Sequence, residues 1–266
     1  MSTGILLYFR HSFAISTDMR NSTYPPHFAE KYFNIPYVIL DIPKIVPDDH
    51  FGEVWKEKNV PIVRTKPDPR YPYSPEEAEE VYQRTRRVNE YTMPNWNGMV
   101  GWRSVGADGR WAESLINGPM VLPKLFQQLN DLLPIVKLTY VIFWSNQREI
   151  GVHRDLKEQY PLPTSIRVVI EDNNTRPTFY LDPVPADLDA NFHSKEKPDD
   201  WSKCKFVDVS QTESNTFLYN NQQWAHGAQK IDNHSKILCS ISCQLDWVKY
   251  EKLMDQSIAK YGNNLP

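Results

Sequence analysis

A succession of short apolar stretches after residue 137 constrains the fold of this chain more than any other feature. They are separated by polar turns and lie at 138–145, 150–153, 165–171, 178–181, 205–209, 216–219 and 236–247. Many short strands with polar turns are typical of a β-sandwich or a β-barrel. We therefore expect a mainly β core with flanking helices.

The rest of the chain predicts helices and irregular segments around that core. Prolines break up the first 70 residues, and the 182–203 segment is an insertion loop rich in prolines and acids. Further elements are predicted as a strand at 37–40, helices at 48–58, 74–89, 123–133 and 248–261, and a hairpin formed by 97–104 and 109–111. We expect a single domain over 1–266, with an N-terminal elaboration at 1–137, the core at 138–247 and a C-terminal helix within 248–266.

The composition argues against several classes of protein. Charged residues make up 24% of the chain and the formal net charge is −3, so no field of one sign favours a nucleic acid or an anionic membrane as partner. No apolar run approaches the length of a membrane span, and the first residues are not typical of a secretory signal. Cys204, Cys239 and Cys243 match no disulfide or metal-knuckle spacing. We expect reduced thiols in a soluble cytoplasmic protein.

Three side chains could together bind one metal ion. His153 and Asp155 are two positions apart, and in a strand such residues project to the same face. His226 would reach the same ion from a distant strand. Two imidazoles and one carboxylate on one side of an octahedral ion leave positions open for substrates, as in non-haem Fe(II) oxygenases. The alternative is that the short His-x-Asp string is a coincidence and that the histidines are hydrogen-bonded surface or core residues.

Two strands carry a cation on the face opposite to their apolar side chains. Lys236 lies opposite the apolar face that begins at Ile237, and Arg167 lies opposite Ile166 and Val168. If these faces line the interior, each cation needs an anion to offset its desolvation, and a dicarboxylate co-substrate would provide one. A guanidinium could bind a carboxylate through two parallel hydrogen bonds. The alternative for each cation is a solvated or structurally paired charge.

The order of the His-x-Asp motif, the two cations and the second histidine along the chain resembles that in the Fe(II)- and 2-oxoglutarate-dependent dioxygenases. The pattern is most similar to the aspartyl/asparaginyl β-hydroxylase-like branch, which includes bacterial proline hydroxylases. The matching stretches are 153–155, 166–172, 215–219, 226–228, 236–238 and 245–246. The resemblance covers 138–247 and implies a double-stranded β-helix, the cupin-like jelly roll, with one iron at its mouth.

The resemblance also implies roles for individual residues. His153, Asp155 and His226 correspond to the iron ligands and thus to the catalytic centre. Lys236 stands where the branch usually has an Arg for the distal carboxylate of 2-oxoglutarate, and Arg167 matches an Arg directed toward co-substrate or substrate. The implied reaction consumes 2-oxoglutarate and O2, hydroxylates an unactivated C–H bond, and releases succinate and CO2. The carboxylate at position 155 argues against halogenation.

Substrate contacts are expected outside the core, where each candidate could equally be a packing or solubility residue. These candidates are Trp102, Arg103, Trp111, Arg148, Trp224 and the 182–203 loop. The leading hypothesis is a hydroxylase of an amino acid, either a small molecule or part of a peptide or protein. The alternatives are a non-catalytic cupin-type module that binds a metal or small molecule, and an oxygenase acting on another metabolite or on nucleic acid, the latter disfavoured by the near-neutral charge.

Overall fold

The computed structural model describes residues 25, 27–58, 99–105, 111–146, 150–154, 163–172, 177–182, 197–221, 223–229 and 236–262. The helices in this part of the chain are α1 His27–Tyr32, α2 Phe51–Lys58, α3 Gly118–Val121, α4 Pro123–Leu132 and α5 Trp247–Tyr261, with a 3-10 helix at Trp201–Lys203. The strands are β1 Tyr37–Ile39, β2 Met99–Val105, β3 Trp111–Asn117, β4 Ile135–Asn146, β5 Ile150–His153, β6 Ser165–Asp172, β7 Phe179–Asp182, β8 Lys205–Val207, β9 Thr216–Tyr219, β10 Ala225–Ala228 and β11 Lys236–Leu245.

The strands form two sheets. The larger sheet has the order β1-β9-β6-β11-β4-β2-β3, and the smaller sheet has the order β5-β10-β7-β8. Neighbouring strands run antiparallel, except that β2 and β4 are parallel. The expected mainly β class with a few helices is confirmed.

The larger sheet carries an apolar cluster on each of its faces. Its outer face packs on the helices, and the outer cluster includes Ile166, Val168, Ile237, Cys239, Ile241, Leu129 and Tyr250. Its inner face packs on the smaller sheet, and the inter-sheet cluster includes Val169, Phe217, Leu238, Phe179 and Leu181. Alternate residues of one strand thus enter different clusters, as period-2 geometry requires. The two faces predicted for β6 and β11 are confirmed.

Helix α4 has a cap that comes from far along the chain. Its N-cap residue, Leu122, forms no side-chain capping hydrogen bond. Instead the buried carboxylate of Asp48 accepts hydrogen bonds from the backbone N–H groups of Lys124 and Leu125, each at 3.0 Å. Two donors that the helix cannot satisfy internally are therefore satisfied by another segment.

The three cysteines are free, as expected from their spacing. Burial raises the pKa of the Cys204 and Cys243 thiols to about 12. Burial also raises the pKa of the Cys239 thiol, which lies in the outer cluster of the larger sheet. Because the thiolate is the nucleophilic form, these shifts lower the nucleophilicity of all three thiols.

Most predicted elements lie close to those observed. Strands β5 and β9 have the predicted bounds, whereas β4 begins earlier, at Ile135, and β7 is displaced by one residue. The predicted hairpin is formed by β2 and β3. Helices α1 and α3 and the 3-10 helix at Trp201–Lys203 were not predicted, and the 3-10 helix lies inside the segment interpreted as a loop. Strand β10 was expected only as the strand of His226, without bounds.

Some predictions fall outside the residues that the structure describes. They include the helix at 74–89, the turn of the hairpin at 106–108, and residues 183–196 of the insertion loop. Among the helices that are described, none is long and apolar enough to cross a membrane.

Candidate metal centre

Strands β5 and β10 bring two histidines side by side. His153 and His226 are register partners in the smaller sheet, and their ring centroids are 4.2 Å apart. The expectation that His226 approaches from a distant strand is confirmed. Two adjacent imidazoles are a donor pair that suits a divalent transition metal.

The tautomer of His153 follows from its contact with the backbone. Its Nδ1 lies 2.8 Å from the carbonyl oxygen of Gly151. A carbonyl oxygen only accepts hydrogen bonds, so Nδ1 carries the proton and the lone pair is on Nε2. Metal-binding histidines commonly donate their second nitrogen to a carbonyl in this way, which fixes the ring.

His226 is enclosed by aromatic rings. It is 4% exposed and stacks at 26° on Phe179 with a centroid distance of 5.9 Å. Tyr219 meets it edge-on at 5.0 Å, and the Tyr219 hydroxyl oxygen lies 3.4 Å from Nε2. These rings hold the imidazole in a fixed position beside β9 and β7.

Asp155, the predicted third ligand, lies outside the described residues. Within the described segments, no group of three or more His, Cys, Asp or Glu residues could hold a metal ion. The part of the predicted triad that the structure describes is therefore the histidine pair. The donor chemistry of this pair fits a metal, and Asp155 remains a prediction.

Arg167 reaches the same tyrosine from the inner face of β6. Its Nη2 donates to the Tyr219 hydroxyl at 2.7 Å, and its Nη1 donates to the Ile166 carbonyl at 3.1 Å and the Ser165 hydroxyl at 3.3 Å. The guanidinium carbon is 5.0 Å from the Tyr219 ring centroid. Among the salt bridges between described residues, none includes Arg167. The predicted inward direction of Arg167 is confirmed.

Lys236 is the second inward cation. It begins β11, is 5% exposed, and has Asp172 of β6 as its register partner. Its neighbour on the same face, Leu238, belongs to the inter-sheet cluster. Burial of an ammonium group is costly unless other groups compensate its charge.

The predicted substrate contacts fall in different places. Trp224 is 8% exposed and belongs to the inter-sheet cluster. Its indole Nε1 is buried and has no hydrogen-bond partner among the described residues. Trp102 and Arg103 lie on β2 opposite residues of β3 and β4, and Trp111 begins β3. Arg148 lies outside the described residues, and the substrate roles of all five residues remain predictions.

Sequence reasoning missed Tyr219 and the glycine beside His226. Tyr219 is the last residue of β9, and a polar tip at the end of an apolar strand was its one signal. At Gly227, an added Cβ would overlap the Tyr180 ring and hydroxyl and would lie 2.6 Å from the Ile150 carbonyl oxygen. The close contact of β5, β7 and β10 around His226 therefore depends on this glycine.

Comparisons with protein-family models, with curated proteins and with solved structures found no match to this chain. The fold and site define a mainly β protein in which two sheets enclose a histidine pair and an arginine.

Proposed function

We propose that the chain is an Fe(II)- and 2-oxoglutarate-dependent dioxygenase that hydroxylates a C–H bond of an amino acid, free or within a peptide or protein. The observation that carries this proposal is the pairing of His153 with His226 across β5 and β10, beside Arg167. Together with the His-x-Asp motif, these contacts match the ligand set that the sequence resemblance implies.

The strand order supports a double-stranded β-helix as the core of the proposed enzyme. Strands β4, β6, β9 and β11 belong to the larger sheet, and β5, β7, β8 and β10 belong to the smaller one. The chain thus passes between the sheets at nearly every step from β4 to β11, as in a jelly roll. In this interpretation β1, β2 and β3 extend the larger sheet beyond the core.

The proposed metal ligands are His153, His226 and Asp155. Bound iron would supply the oxygen chemistry, coupled to conversion of 2-oxoglutarate to succinate and CO2. The contact with the Gly151 carbonyl directs the His153 lone pair away from the backbone. The aromatic rings around His226 exclude water from one side of the site, which strengthens electrostatic interactions there.

Arg167 is the cation that we assign to a carboxylate of the co-substrate. It reaches His226 through a single hydroxyl, that of Tyr219, and it forms no salt bridge with a described residue. An inward guanidinium is suited to bind a carboxylate through two hydrogen bonds. The hydrogen bond of Arg167 to the tyrosine beside His226 is the contact that favours Arg167 over Lys236 for this role.

An anaerobic titration with Fe(II) tests this proposal. We expect a visible charge-transfer band when 2-oxoglutarate is added to the iron-bound protein, because the co-substrate then chelates the metal. His153→Ala and His226→Ala should lose the band and the turnover of 2-oxoglutarate. Arg167→Ala should require at least tenfold more 2-oxoglutarate, the loss that a charged hydrogen bond of about 1.5–3 kcal/mol predicts.

Lys249→Ala provides a control, because this exposed lysine on α5 pairs only loosely, at 4.0 Å, with Asp246. Its titration should match that of the wild type. Iron binding without a band would favour the alternative function, a non-catalytic cupin-type module. Failure to bind iron would refute the oxygenase.

A further inference from the structure

The Tyr219 hydroxyl connects the arginine and a proposed metal ligand. Tyr219 is completely buried. Its oxygen accepts a hydrogen bond from Arg167 at 2.7 Å and lies 3.4 Å from Nε2 of His226. Because Arg167 has no lone pair to offer, the donor in the first contact is fixed.

The second contact engages the nitrogen that a metal would need. If Tyr219 donates, its proton occupies the lone pair of His226 Nε2. If His226 donates, Nε2 carries a proton and has no lone pair in the ring plane. In both tautomers Nε2 can bind a metal only after the contact with Tyr219 is broken. The conclusion therefore does not depend on where the proton lies.

The direction of His226 between the two sheets indicates that Nε2 is the ligating atom. It is the His226 nitrogen that points to Tyr219 and Arg167, which both lie on the inner side of the larger sheet. Nδ1 of His226 is shielded from solvent. For His153 the lone pair is also on Nε2.

We propose that Tyr219 is a positioning residue that occupies His226 Nε2 in the metal-free protein and gives up this contact when a metal binds. Arg167 holds the hydroxyl in place throughout. Metal affinity is therefore lower than it would be without the hydroxyl, because this contact must be broken first. This inference rests on the metal site of the proposed function.

Tyr219→Phe removes the hydroxyl and keeps the ring. Calorimetric titration with Co(II), without 2-oxoglutarate, should show a Kd about two- to tenfold lower than in the wild type, the range expected for one net hydrogen bond. The visible spectrum of bound Co(II) should be unchanged, because the ligands are the same. A merely structural role would instead disorder His226 and raise the Kd.

Tyr37→Phe is the matched control. Tyr37 is the register partner of Tyr219, and its hydroxyl donates to the Phe206 carbonyl at 3.2 Å, so the same atom is removed from the same cluster. Its Co(II) affinity should equal that of the wild type. If Tyr219→Phe does not fold, Tyr219→Met repeats the test.

The outcomes separate the two proposals. An unchanged or higher Kd in the Tyr219 variant, with Co(II) binding that His226→Ala abolishes, would overturn the role of Tyr219 and leave the metal site standing. Absence of Co(II) binding in the wild type, or binding that survives His226→Ala, would overturn the metal site and this inference with it.

Discussion

Gly227 sits next to His226 at a point where three strands converge. A Cβ there would overlap the Tyr180 side chain on β7 and would come within 2.6 Å of the Ile150 carbonyl on β5. Neither neighbour can move independently, since Tyr180 is completely buried and its hydroxyl donates to that same carbonyl at 3.3 Å. The residue therefore sets how closely β5 approaches β10.

We predict that Gly227→Ala lowers the free energy of unfolding by about 1–3 kcal/mol, the usual cost of overpacking. It should also weaken Co(II) binding, because β5 carries His153 and β10 carries His226. Urea denaturation measures the first effect and calorimetric titration the second.

Gly52→Ala is a matched control, because nothing lies within 4 Å of the position of its added Cβ. Gly52 is an exposed residue of α2, where alanine favours the helix by up to about 1 kcal/mol. Equal responses of the two variants would show that the close contact at Gly227 is unimportant.

At the residue scale, sequence reasoning identifies groups whose chemistry is explicit. The proximity of His153 to His226 was expected from their chemistry, and the face of Arg167 from strand periodicity, whereas their binding of a metal or an anion stays a prediction. Tyr219 could not be predicted, because its role comes from β6, β9 and β10 meeting in space. Burial of Trp224 likewise follows from the inter-sheet packing.

At the scale of elements, helix α4 shows where local signals are insufficient. Its apolar spacing and Pro123 predicted it, and its bounds are close to those expected. Its cap is 76 residues away in the chain, at Asp48. A window of local sequence around Leu122 contains no trace of that contact.

Asp48→Ala should destabilise the protein by about 1–2 kcal/mol, because two backbone donors at the start of α4 lose their acceptor in a buried place. The change in urea midpoint measures this loss.

Asp49→Ala is the control one residue away. The Asp49 side chain is 100% exposed and pairs with Lys124 at 3.4 Å, so its removal should leave the urea midpoint unchanged. If both variants lose the same stability, Asp48 is not the cap that its contacts indicate.

At the scale of the whole molecule, the larger sheet separates the apolar cluster on its outer face from the histidine pair on its inner side. Its outer face and the helices form one cluster, closed by the stacking of Phe28 of α1 on Tyr250 of α5 at 5.7 Å. Its inner face contributes Arg167 and Tyr219 to the histidine pair. The alternation of side chains along β6 and β11 was predictable from the sequence, whereas the bounds of β10 were not. The parallel pairing of β2 with β4 was not, because periodicity gives the face of a strand and not its neighbour.

This separation predicts that stability and metal affinity can be changed independently. Leu129→Ala leaves a cavity in the outer cluster, where Leu129 of α4 is completely buried. It should lower the free energy of unfolding by about 2–5 kcal/mol, while the folded fraction binds Co(II) with the wild-type Kd. His153→Ala should do the opposite, because His153 belongs to none of the apolar clusters formed by the described residues. Thermal unfolding and calorimetric titration on both variants measure the two quantities. Two results would contradict this independence. One is wholesale unfolding of His153→Ala, and the other is a metal affinity that falls as far in Leu129→Ala as in His153→Ala.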